Sequence, residues 1–207
     1  MASRLVLVIG DLFIPDRAPD IPAKFKKLLT PGKIGQIICL GNLTDRETYE
    51  YLRTIAPDLQ LVKGDFDTEN PYSANTTTTN PSSSAAPASS SATASSSSIP
   101  LSKVITHGSL RIGFTHGHTI IPQGDADALL IAARQMDVDV LLWGGTHRFE
   151  AGGGRGAYPQ FLFDGYVLVL YVYQLRTDAN GAENVGVEKV SFRKQNPAAA
   201  ATTAAAA

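Results

Sequence analysis

One cysteine is all that the 207-residue chain contains, so no internal disulfide can staple it and a reducing compartment fits. That residue, Cys39, lies inside the apolar run Ile37-Ile38-Cys39-Leu40 and reads as a small buried hydrophobe rather than a reactive thiol. A surplus of either charge is also missing. Eighteen Lys and Arg stand against nineteen Asp and Glu, a formal net charge of −1. No electrostatic footprint for nucleic acid results, and nucleic acid is excluded as a partner class. A long hydrophobic run is absent at the N-terminus, where Leu5 to Ile9 is soon interrupted by Asp11. That is too short for a signal-peptide core or a membrane span. The expectation is a cytoplasmic protein that meets a membrane only through partners.

Charge disappears altogether from residues 70–102, which are dominated by Ser, Thr, Ala, Asn and Pro. Such a stretch buries too little apolar surface to offset its ordering entropy and reads as a disordered insertion. Closing a long loop costs only slightly more than closing a short one, so a stable domain tolerates it. Residues 197–207 form an Ala-rich tail without pattern, also read as disordered. The length suits one domain with a sizeable core, here residues 1–196 interrupted by the insertion.

What remains alternates. Leu5 to Ile9 is a continuous aliphatic run, the mark of a strand covered on both faces; Ile37 to Leu40 and Val138 to Trp143 also read as buried strands, and Leu59 to Val62 as a further strand. Between them, Ala23 to Leu29 reads as a helix opened by Pro22 and ended by Pro31-Gly32. Thr44 with Glu47 forms a capping box for a helix reaching about Ile55, and Asp125 to Met136 carries apolar residues at helical spacing. Val104 to Thr106 and Leu110 to Thr115 flank a His107-Gly108-Ser109 turn as a hairpin. Tyr166 to Leu175 and Val185 to Phe192 read as consecutive strands joined by Asp178-Ala179-Asn180-Gly181. Strand–helix alternation followed by antiparallel strands predicts an α/β fold, a layered α/β/β/α sandwich of two packed sheets.

In open α/β sheets, functional groups collect in the loops past the carboxyl ends of strands. Asp11, Asn42, Asp65, His116 and His147 all stand at or just beyond such ends. Singly, each is ordinary turn chemistry or a structural histidine. As an ordered set they supply the oxygen and nitrogen donors of a metal cup.

The surrounding sequence is specific: Gly-Asp-Leu-Phe-Ile-Pro at 10–15, Pro-Ala-Lys-Phe-Lys-Lys-Leu-Leu at 22–29 and Pro-Gly-Lys-Ile at 31–34. Further along come Lys-Gly-Asp-Phe-Asp at 63–67, His-Gly-His at 116–118, Ile-Pro-x-Gly-Asp at 121–125, Asp-Val-Asp at 137–139 and Tyr-Val-Tyr-Gln-Leu at 171–175. In these runs the chain resembles the calcineurin-like metallophosphoesterases. Within them it resembles the branch that supplies the small subunit of retromer, an endosomal coat. The likeness covers about residues 4–69 and 103–194.

The resemblance implies a metallophosphoesterase-like sandwich whose metal-site side chains are Asp11, Asn42, Asp65, His116 and His147. It also implies that the site is degenerate. Phe13 and Gly145 stand where two histidine ligands belong, and neither can coordinate a metal. Asn42 replaces the bridging aspartate, and Phe66 the histidine that assists the leaving group; Asp65 puts a carboxylate where active members use asparagine. Two-metal hydrolysis needs cations about 3.5–4 Å apart, clamping the attacking and departing oxygens. Each cation has here lost an imidazole, and the pair its bridge. No catalytic residue is therefore assigned and no cofactor is required, Zn or Mn being at most weakly held. The alternative is a weak metal-dependent phosphodiesterase or phosphatase. The segment after His147 is also shorter than in the family, Glu150 leading through Ala151-Gly152-Gly153-Gly154-Arg155-Gly156 to Pro159-Gln160-Phe161.

Ile120-Ile121-Pro122 directly follows His118 at the rim of the cup. Adjacent residues of an extended segment face opposite ways, so one isoleucine is exposed, and an exposed aliphatic at an opening suggests a protein contact. In the retromer branch this rim docks on the large α-solenoid subunit. Leu5, Leu28, Leu29, Tyr171 and Tyr173 correspond to the family's opposite face, which recruits regulators such as Rab GTPase-activating proteins; as residues alone they read equally as core. The implied role is a non-catalytic scaffold for cargo retrieval, peripheral on the endosome. Its further associates would be the arrestin-like subunit of the same complex and sorting nexins.

Overall fold

The aliphatic run that opens the chain sits in the middle of a sheet, where alternate side chains enter two different cores. In the computed structural model, residues 4–67, 98–146, 161–164, 167–177, 181 and 183–194 are described. In chain order the elements are β1 (Arg4–Ile9), α1 (Ala23–Lys26), β2 (Gln36–Cys39), α2 (Arg46–Ile55), β3 (Leu59–Leu61) and β4 (Ser102–His107). There follow β5 (Leu110–Thr115), α3 (Ala126–Gln135), β6 (Val140–Trp143), β7 (Phe161–Asp164), β8 (Val167–Thr177) and β9 (Glu183–Arg193). Residues 70–97 of the insertion and the 197–207 tail lie outside the described residues, but the disorder expected to 102 ends earlier: Lys63 N donates to Pro100 O at 2.9 Å, Thr115 Oγ1 to Leu101 O at 3.0 Å, and Ser102 opens β4.

Six strands form one sheet in the order β3-β2-β1-β7-β8-β9, and three form a second in the order β4-β5-β6. The first is parallel from β3 to β1 and antiparallel from β7 outward. Val6 and Val8 of β1, with Ile38 of β2, face a core between the sheets, where they meet Leu110, Ile112 and Phe114 of β5 and Leu168 and Leu170 of β8. The intervening Leu7, Ile37 and Cys39 face the other way, into a core shared with Tyr49, Leu52 and Ile55 of α2. This two-residue alternation is why residues 5–9 and 37–39 lack polar positions. On the far face of the small sheet, a Cβ on Gly113 would lie 2.9 Å from Met136 Cε, at the end of α3. The layering is the α/β/β/α sandwich expected. Cys39 is fully buried, and that burial pushes its thiol up to about 12, so it is inert packing.

Two local expectations are corrected, and one strand was not expected. The second helix is capped by Asp45, not Thr44: Asp45 Oδ2 accepts from Thr48 N at 2.9 Å and Thr48 Oγ1 at 3.1 Å. A carboxylate suits the positive helix N-terminus better than a hydroxyl. Thr44 is thereby freed, and its Oγ1 donates to Ile14 O at 2.8 Å, pinning the loop after β1. The first helix ends at Lys26 rather than near Leu29. Its continuation is one tightening turn, with Leu28 N and Leu29 N both donating to Phe25 O, and Thr30, before Pro31, is kept out of the helical region. The unexpected strand is β7, which sequence periodicity did not signal; its four residues become a strand only by sitting between β1 and β8. Of the turn expected at 178–181, only Gly181 is described, at φ 76°.

Asp45→Ala should destabilise the chain by about 1 kcal/mol through loss of the cap. For a domain of this size the melting temperature should drop by roughly 2–4 °C. A thermal melt checks this, and an unchanged melt would return the cap to Thr44.

Candidate functional site

The loops after β1, β2, β3 and β5 meet at one end of the two sheets, and each brings one polar side chain inward. Asn42 Nδ2 donates to Asp11 Oδ1 at 2.8 Å and Asp65 Oδ1 at 3.0 Å, and lies 2.9 Å from His116 Nε2. His116 Nε2 is 3.0 Å from Asp11 Oδ1. Four of the five residues read as a cup are thus in mutual contact; the fifth, His147, lies outside the described residues.

Backbone shape makes this convergence possible. Asp11, Phe13 and Asn42 all adopt the left-handed conformation, at φ 53°, 46° and 56°. Asp and Asn tolerate that region; a phenylalanine there is strained and is held by its surroundings. Gly64 must be glycine, because a Cβ would lie 2.1 Å from Asn42 Oδ1.

Sequence reasoning quoted Asp67 without giving it a role, yet it ties the site from below. Its Oδ2 accepts from Asn42 N at 2.9 Å and Gly64 N at 2.8 Å, joining the β2 and β3 loops. It is 6% exposed, and its Oδ1 has no hydrogen-bond partner among the described residues. The only sequence signal was the second aspartate of Gly-Asp-Phe-Asp.

The electrostatics follow from these contacts. Burial raises the Asp11 carboxyl, but hydrogen bonds from His116, Gly145 N and Asn42 outweigh it and hold it below the ordinary value. Asp65 is lowered likewise, its burial outweighed by the Asn42 bond and neighbouring imidazoles. His118 is pushed down by burial and by His116, which favours its neutral form.

These residues do not fit a two-cation centre. At the first missing ligand, Phe13 is buried and packs edge-on against Phe66, centroids 5.3 Å apart, with the Arg17 guanidinium 4.0 Å from the Phe13 ring. At the second, Gly145 contributes only its backbone, N donating to Asp11 Oδ2 at 2.8 Å. A Cβ there would meet Gln123 Nε2 at 2.6 Å and His116 Cε1 at 3.1 Å. Asn42 Oδ1, the atom that could ligate, is occupied by the Phe66 N–H at 3.1 Å. Among the described residues, no group of three or more His, Cys, Asp or Glu could hold a metal ion.

Beside the cup, Ile121 is 85% exposed and Pro122 is exposed, while Ile120 is half-buried. Ile121 is thus the exposed one of the pair, while Ile120 is only partly covered rather than core. The other apolar set also comes together: Leu5, Leu28, Leu29, Tyr171 and Tyr173 line one groove of about 330 Å³. Leu5 and Leu28, at 38% and 49% exposed, are surface rather than core. No helix among the described residues is long and apolar enough to cross a membrane.

Comparison with known proteins adds the following. The calcineurin-like phosphoesterase superfamily domain matches residues 5–158. Vacuolar protein sorting-associated protein 29 of Schizosaccharomyces pombe is 42% identical, over 92% of this chain and 98% of that protein. The crystal structure of Vps29 from Chaetomium thermophilum is 47% identical with a TM-score of 0.73, covering 92% of this chain and 99% of that one. The same relative complexed with a cyclic peptide, RT-D3, matches at 45% identity and TM-score 0.69 over 94% and 99% of the two chains. Wild-type Vps29 of Entamoeba histolytica complexed with Zn²⁺ is 33% identical, TM-score 0.67, over 91% and 99%.

Proposed function

Since the chain belongs to the vacuolar protein sorting-associated protein 29 family of the calcineurin-like phosphoesterase superfamily, we propose that it is a non-catalytic scaffold subunit of the endosomal retromer coat. The observation that carries this reading is the pairing of a cup filled by its own hydrogen bonds with an exposed aliphatic rim. A hydrolase of charged phosphodiesters has no use for Ile121 and Pro122 at its entrance, whereas a docking surface does.

Ile120, Ile121 and Pro122 would seat the large α-solenoid subunit, through which the arrestin-like subunit and sorting nexins associate. The groove of Leu5, Leu28, Leu29, Tyr171 and Tyr173 would take Rab GTPase-activating regulators, and the peptide complex of the C. thermophilum relative supports the idea that a family member accepts peptide ligands. Membrane contact on the endosome would come through the coat, for cargo retrieval to the Golgi or plasma membrane. No cofactor would be required; the Zn²⁺ complex of the E. histolytica relative is compatible with a weakly held Zn or Mn.

Retention of Asp11, Asp65 and His116 in contact favours one second reading, a weak metal-dependent phosphodiesterase. Hydrolysis of bis-p-nitrophenyl phosphate with excess Mn²⁺ or Zn²⁺ separates the two. The scaffold reading expects no rate above that of Asp11→Ala, and co-purification of the solenoid subunit in stoichiometric amount. A metal-dependent rate abolished by Asp11→Ala, without solenoid capture, would reverse the choice.

A further inference from the structure

We infer that the Asn42 carboxamide takes the place of the cations, so that the cup cross-links four loops without needing a bound ion. The inference rests on the degenerate-site reading above, but not on any partner.

The orientation of the amide is fixed by its neighbours. Asn42 is 1% exposed, and its one oxygen faces a donor, the Phe66 N–H at 3.1 Å. The other end must then be the NH₂ group, and it points at Asp11 Oδ1, Asp65 Oδ1 and His116 Nε2, all within 2.8–3.0 Å. Three donor atoms of a would-be metal site thus converge on one nitrogen at hydrogen-bond distance. Zinc ligands would stand at about 2.0–2.3 Å from an ion.

The two amide protons serve Asp11 Oδ1 and Asp65 Oδ1. His116 Nε2 lies 2.9 Å from the same nitrogen and 3.0 Å from Asp11 Oδ1, and His116 Nδ1 is 3.0 Å from His118 Nδ1. The Asn42 backbone N–H is taken by Asp67. The cross-link also sets the rim: His118 and the 117–124 segment hang from His116, and Gly144 N donates to His116 O at 3.1 Å.

Asn42→Asp removes both donors and adds a carboxylate beside Asp11, Asp65 and Asp67. Only the imidazoles of His116 and His118 are then left to offset the added charge, so a divalent cation becomes stabilising. Asn42→Ala removes the donors but supplies no ligand.

Thermal unfolding of the full chain in excess chelator and in Mn²⁺ tests this. The wild type should melt at the same temperature in both, within about 1 °C, because no bound ion contributes to its stability. Asn42→Asp should melt at least about 5 °C lower in chelator and regain most of that loss in Mn²⁺. Asn42→Ala should be destabilised equally in both. A wild type that loses several degrees in chelator would overturn the inference, as would an Asn42→Asp chain as stable as wild type there. If Asn42→Asp does not fold in either buffer, the wild type and Asn42→Ala still decide. A chelator-sensitive wild type that captures the solenoid subunit overturns this inference and leaves the scaffold role intact; a chelator-indifferent one that fails to capture it does the reverse.

Discussion

Ile121→Asp is expected to weaken capture of the large solenoid subunit at least a hundredfold while the free chain stays folded. At 85% exposure the isoleucine contributes little to the fold, so an aspartate there meets water and costs almost nothing before binding. At an interface the balance reverses. Burying the isoleucine is worth roughly 1.5–3 kcal/mol, and a buried unpaired carboxylate costs several more. Each 1.4 kcal/mol is about tenfold in affinity, and together they exceed two decades. Circular dichroism beside a pull-down reads both halves. A folded Ile121→Asp chain that still binds would remove the rim from the interface.

A second large effect belongs to the core. Phe114 is fully buried between the sheets, on a strand flanked by β4 on one side and β6 on the other. Two hydrogen-bonded neighbours restrain collapse of the backbone into the space a smaller residue would leave. Phe114→Ala should therefore cost about 3–5 kcal/mol, near the upper part of the range for such truncations. A urea midpoint shift with unchanged slope would report it, and the melting temperature should fall on the order of 10 °C. A loss under about 1 kcal/mol would mean that the inter-sheet core repacks freely, contrary to close packing. Phe114 also stands two residues before His116, so the same change should loosen the cup.

The sequence made the fold class legible because its strands are buried on both faces. Runs such as Val6-Leu7-Val8 and Ile37-Ile38-Cys39 have few other readings. β7 was not legible. Phe161 to Asp164 has no period of its own, and only its two neighbours across the sheet make it a strand. The cap of α2 was misplaced by one residue because Thr44 and Asp45 are both good capping residues, and the choice turned on what Thr44 could bond elsewhere. The cup side chains could be read from their place after strands. What they do to one another could not, since the orientation of an amide depends on a backbone N–H twenty-four residues away. Asp67 was hidden for the same reason: its partners, Asn42 N and Gly64 N, are backbone groups that no side-chain motif announces.

The two imidazole positions were lost in ways that differ in reversibility. At position 13 the left-handed backbone is already in place and held, so a histidine could return by a single exchange of one planar ring for another. Position 145 offers no such return. Its φ of 81° disfavours any side chain, and a β-carbon would have to displace Gln123 and crowd His116. On the scaffold reading, regaining an imidazole at 145 would therefore need concerted change at 145 and 123, and the departure from the two-metal framework works as a ratchet.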